Sequence, residues 1–138
     1  MKQLNDEQLG ELRQLAAEYG LKGHHFHKDS RGFLIITRAG VEQIAGKLNA
    51  RVEYTPIFEW SNPADGSYVI QAKAWYMIGE SHVVATSFGE VNAKNNRNAY
   101  PVAMAEKRAL SRAVLKLAGL YKLNVYGEDE LDAKDPGQ

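Results

Sequence analysis

The stretch from residue 99 to residue 120, AYPVAMAEKRALSRAVLKLAGL, constrains the fold of this chain more than any other. Pro101 suits a first helical turn and Gly119 a helix end, so the run predicts one long helix. At about 100° per residue, Val102, Ala103, Ala109, Leu110, Ala113, Val114 and Leu117 share one arc, which predicts the core-facing side. Arg108, Arg112 and Lys116, spaced i, i+4, i+8, share another arc with only Ala105 between them, and Lys107 stands on its far shoulder. A row of cations over small residues leaves room for an extended polyanion. Most such rows are solvated faces; arginine at two of the three positions tilts this one toward phosphate contact. Glu106 falls near the centre of the apolar arc, where an unpaired carboxylate is costly. Either the helix is rotated from this wheel, or Glu106 pairs with Arg38 or with a cation of a neighbouring subunit.

Zero net charge argues at first against a nucleic-acid partner, but the charges are segregated. Lys94, Arg97, Lys107, Arg108, Arg112, Lys116 and Lys122 face a single acid, Glu106, between residues 94 and 122. Beyond them Glu128, Asp129, Glu130, Asp132 and Asp135 face only Lys134. The neutrality is a cancellation between a basic segment and an acidic tail. This divides the chain into one domain over residues 1–122 and a flexible acidic tail over residues 123–138. A chain of 138 residues, 44% hydrophobic and 25% charged, suits one globular domain. Without cysteine it forms no disulfide or thiolate metal site. That absence of cysteine fits a cytosolic protein; no apolar run is long enough for a bilayer, and residues 1–9 carry no signal-peptide pattern.

Upstream, Asn5 or Asp6 caps a first helix carrying Leu9, Leu12, Leu15, Ala16 and Tyr19, ended by Gly20. Residues 22–32 read as a polar loop, residues 33–37 as a short extended piece and residues 39–48 as a second helix. Strand-like runs follow at 51–60, 67–78 and 82–90, with turn formers at 62–66 and a tight hairpin at Gly79-Glu80. In the middle strand Tyr68, Ile70, Ala72, Ala74, Tyr76 and Ile78 alternate with Val69, Gln71, Lys73, Trp75 and Met77. The first set is small at its centre and admits a helix; the second can stay partly wet. The fold class expected is α+β: an antiparallel three-stranded meander covered by a long C-terminal helix, preceded by an N-terminal helix.

From about residue 33 to residue 121 the chain resembles the DNA-binding core of single-strand annealing proteins of the Rad-fifty-two type, in a short phage or prophage version. The resemblance rests on Leu34-Ile35-Ile36 leading into a helix, and on three strands with a Gly66-bearing turn closed by Gly89-Glu90. Its sharpest element is Lys107-Arg108-Ala109-Leu110 inside a small-residue helix after the meander. It implies a non-catalytic, cofactor-free β-β-β-α protein of the bacterial host cytoplasm, whose subunits join edge to edge in rings. Single-stranded DNA would run along a basic groove and be annealed during phage-type recombination, with a host or phage recombination protein as a further candidate partner. Where the family tends to place another basic residue this chain has Ser111, and Arg112 lies one position on. DNA phosphates are expected on Lys107, Arg108, Arg112 and Lys116, with Lys73, Lys94 and Arg97 on the opposite wall. Trp75 is a candidate for base stacking, whereas Tyr76 falls on the helix-covered face.

Three other patterns carry weaker chemistry. His24, His25 and His27, with Asp29 nearby, match no structural zinc spacing, so no metal is expected. Lys22, Lys28 and Arg31 in the same loop offer a second basic patch. Asp65, Gln71 and Lys73 faintly resemble the acid and lysine set of Mg²⁺-dependent nucleases, although Asp65 is more simply a turn residue. A ring-forming phage adaptor protein that binds only protein is the remaining alternative.

Overall fold

The computed structural model describes residues 4–96 and 99–131. Helix α1 (Asp6–Tyr19) begins at a reciprocal cap, in which Gln8 N donates to Asn5 Oδ1 at 2.8 Å and Asn5 N to Gln8 Oε1 at 3.0 Å. Short strands β1 (Phe26–Lys28) and β2 (Leu34–Ile36) pair antiparallel. Helix α2 (Arg38–Leu48) then starts on the Thr37 hydroxyl, which accepts from Gly40 N at 3.1 Å. Strands β3 (Arg51–Pro56), β4 (Tyr68–Ile78) and β5 (Ser81–Val91) form an antiparallel meander in sequence order, with Gly79 and Glu80 turning between Ile78 and Ser81. Helix α3 (Pro101–Ala118) lies across β4 and β5, and a last strand, β6 (Val125–Gly127), joins β2 in parallel.

The chain is thus α+β with two three-stranded sheets, β1-β2-β6 and β3-β4-β5, where the sequence predicted one. Two apolar cores result, and α3 belongs to both. Ala105, Ala109, Ala113 and Leu117 pack on Ile70, Ala72 and Ala74 of the meander. Val114, Leu115 and Ala118 pack on Ile36, Val41, Ile44, Leu120 and Val125. A helix buried on two sides has no single apolar arc: Ala109, Ala113, Val114 and Leu117 are buried as expected, while the first turn departs from the expectation. Val102 and Ala103 are exposed, and so is Glu106, which therefore needs no buried partner.

The expected boundary at residue 122 also moves. Val125 is fully buried, β6 completes a sheet, and Glu128–Leu131 forms a 3₁₀ turn against the domain. The expected acidic tail is therefore folded through Leu131, and residues 132–138 lie outside the described residues.

The close approach of α3 to β5 depends on Gly89. A Cβ there would run into Ala105 O and Ala109 N of the helix backbone, neither of which is the movable end of a side chain. Gly89→Ala should lower the unfolding free energy by about 2 kcal/mol or more through overpacking. Gly46→Ala, in the interior of α2 with open space around its Cβ position, should instead raise it by about 0.5–1 kcal/mol. Urea unfolding of both variants checks the contrast.

Candidate nucleic-acid interface

The basic residues of α3 part company in three dimensions. Arg108 is 2% exposed, and its guanidinium is ringed by carbonyl and amide oxygens. Nε donates to Asp129 O at 2.9 Å, Nη1 to Glu90 O at 2.9 Å and to Asn95 Oδ1 at 3.1 Å, and Nη2 to Asn95 O at 2.7 Å. Arg112 Nη1 donates to Phe88 O at 2.8 Å, and its Nε to Glu130 Oε1 at 2.7 Å. Alternate carbonyls of an antiparallel edge strand point away from the sheet, so both arginines satisfy the outer edge of β5 at its C-terminal end. The expectation that Arg108 and Arg112 present free guanidiniums to phosphate is corrected. Arg108 is engaged by the fold on all three nitrogens, and the half-buried Arg112 on Nε and Nη1.

The acidic turn supplies the complementary half. Glu130, its side chain 6% exposed, holds Arg112 through Oε1 and accepts Gly127 N on Oε2 at 3.0 Å. Glu128 Oε1 accepts Arg38 N at 2.8 Å, in the first turn of α2 where helix N–H groups lack intrahelical partners. Asp129 Oδ2 faces Arg38 Nη1 at 3.7 Å, and both atoms are buried without a hydrogen bond. Burial pushes the Asp129 carboxyl above the usual carboxylate range; Arg38, Lys107 and Arg108 pull it down and Glu128 pushes it up. Acid and base thus cancel face to face, not merely along the sequence.

Lys107 and Lys116 are both exposed, but nine residues of helix separate them by roughly 180° around α3, so they form no stripe. Lys116 Nζ lies 5.8 Å from the centre of the Tyr121 ring. Lys94 is exposed in a turn built on Asn92, whose Oδ1 accepts Lys94 N at 2.8 Å and Asn95 N at 3.1 Å. Arg108 grips Asn95, the chain neighbour of Lys94, and the carbonyl of Asp129, whose carboxylate feels the charge of Lys107. Arg97 lies outside the described residues. Lys73 stands on the face of β4 opposite α3, with its Nζ 5.8 Å from the Trp75 ring centre. The meander therefore separates Lys73 from the α3 cations, and these side chains do not form the two walls of one groove.

The remaining candidates have local partners. Asp65 Oδ1 accepts Ser67 N at 3.1 Å and Oδ2 accepts Asn62 Nδ2 at 3.2 Å, within its own turn, while Gln71 and Lys73 lie on β4. His25 Nδ1 accepts Lys22 N at 2.9 Å, and burial, then His24 and Lys22, depress its pKa. Asp29 pairs with Arg31 at 3.0 Å. Among the described residues no three His, Cys, Asp or Glu side chains come together to hold a metal ion, and no helix is long and apolar enough to cross a membrane. Comparisons with protein-family models, curated proteins and solved structures give no match for this chain.

Removing Arg108 strands several buried acceptors, so Arg108→Ala should cost about 3 kcal/mol or more of stability. Lys107→Ala, at an exposed position, should stay within about 0.5 kcal/mol of wild type by the same urea unfolding.

Asp129 gives a pH test. With its folded pKa raised, ionising it weakens the fold as pH rises from the unfolded carboxylate value, about 4, through the folded one. Asp129→Asn should then be more stable than wild type at neutral pH, with the advantage vanishing below about pH 3, in thermal melts across pH.

Proposed function

We propose that this chain binds the phosphate backbone of single-stranded DNA and, as a self-associated ring, anneals complementary strands in phage-type recombination. The observation that carries this reading is that Lys94 and Lys107, both exposed, are the chain neighbours of Asn95 and Arg108, which hydrogen-bond to each other. Buried arginine hydrogen bonds hold the backbone beneath these lysines, which lowers the entropy cost when phosphates engage them. Phosphate binding of this kind reads no sequence, in keeping with an annealing role that must accept any strand.

Self-association is supported by the two outer strands of the meander. Ile57 N donates to Val69 O at 2.9 Å, so the odd-numbered residues of this run bond inward and Val52, Tyr54 and Pro56 turn their backbone outward. On the other side Phe88 and Glu90 carbonyls are capped by arginine, while His82, Val84 and Thr86 share their outward register. Such edges invite pairing with another chain. Head-to-tail pairing of identical subunits closes into a ring when the rotation permits.

Binding to oligo(dT) should weaken steeply with salt. Lys94→Ala combined with Lys107→Ala should reduce the slope of log K against log salt by about 1.4, since each phosphate no longer neutralised on a single strand accounts for about 0.7. Fluorescence anisotropy across ionic strength measures this, and an unchanged slope would remove these lysines from the interface. Light scattering should give a homo-oligomer; a monomer at micromolar concentration with DNA present would contradict the ring.

A further inference from the structure

We infer that the face of the meander turned away from α3 is a base-stacking platform for single-stranded nucleic acid, centred on Trp75. This deepens the single-strand reading above, on which it rests, with a surface distinct from the α3 junction. Even-numbered β4 residues Ile70, Ala72 and Ala74 face the helix, so Gln71, Lys73, Trp75 and Met77 point the other way. In register beside Trp75 stand Arg51 on β3 and Val84 on β5. A depression of about 360 Å³ opens there, lined by Glu53, Lys73, Trp75, His82 and Val84. It joins an aromatic surface to ammonium, imidazole and carboxylate groups, the combination that stacks a base and addresses its polar edge.

A second aromatic station favours a polynucleotide over a free nucleotide. Phe88 pairs with Gln71, and the Trp60 ring lies 5.6 Å from the Phe88 ring, with Trp60 62% exposed. Gln71 and Trp75 are four residues apart, roughly 13 Å along a strand, so one base does not reach both stations. Arg51 and Lys73 are balanced on this face by Glu53 and Glu90, so attraction here comes from stacking more than from charge. Binding at the platform should therefore persist in salt that dissolves phosphate contacts.

Trp60→Phe leaves Trp75 as the only indole in a chain of two. Adding oligo(dT) to this variant should quench Trp75 emission over the concentration range in which anisotropy reports binding. Trp75→Leu should weaken binding about tenfold or more, and Trp75→Phe should restore most of the affinity, with the ratio preserved at high salt. Circular dichroism melts check that each variant folds. Bound oligonucleotide with unchanged Trp75 emission overturns the platform and leaves the phosphate reading standing; no binding by the wild-type chain overturns both. Equal quenching by thymidine monophosphate, nucleotide for nucleotide, overturns the polymer assignment. Wild-type affinity in Trp75→Leu with a fall in assembly mass assigns the face to a second copy of the chain and overturns it as well.

Discussion

One buried guanidinium ties this fold together. Arg108 reaches the edge of β5 at Glu90, the turn just beyond it at Asn95 and the acidic turn at Asp129, so the chain on either side of α3 meets on one of its side chains. A desolvated cation of this kind is tolerable only when its donors are matched. The planar fork of arginine matches several oxygens at once, which a lysine ammonium does not do in the same geometry. Arg112 repeats the device one turn along, with Phe88 O and Glu130 in place of Glu90 O and Asp129 O. The two arginines close the end of an edge strand while the acidic turn closes over them.

Around that clamp the packing is set by small residues. Gly89 and the alanines at 105, 109 and 113 let α3 lie close against β5 and β4, which brings the guanidiniums within reach of strand carbonyls. The other side of the same helix is covered by α2, the residues after Gly119 and β6. Exposed cations survive only where neither core reaches, at Lys107 near the helix start and Lys116 near its end.

Much of this was legible in the sequence. Local signals fixed the elements: the Asn5 cap and Gly20 stop of α1, Pro101 and Gly119 bounding α3, and period-two alternation with a Gly-Glu turn in the hairpin. The three-residue strands β1 and β6 were not, because such short runs have no periodicity and β6 pairs with β2 across some ninety residues. The helix wheel misplaced the basic stripe because it assumes one wet side, whereas α3 packs on two. Arginine at 108 and 112 signals polyanion contact and buried clamping equally well. Only the nearby Glu128-Asp129-Glu130 run hinted at the second, and opposite charges in adjacent segments carry that hint without its geometry.

The cations thus divide by what they touch: Arg108 and Arg112 hold the frame, and exposed Lys94 and Lys107 are the ones proposed to meet phosphate. Nitrogen-detected NMR of arginine Nε–H and lysine Nζ groups, with and without oligo(dT), tests this division directly. Arg108 Nε–H should exchange slowly with solvent in the free protein and keep its position when DNA is added, while the Lys94 and Lys107 signals move. Rapid exchange at Arg108, or a shift there with both lysines unmoved, would contradict it.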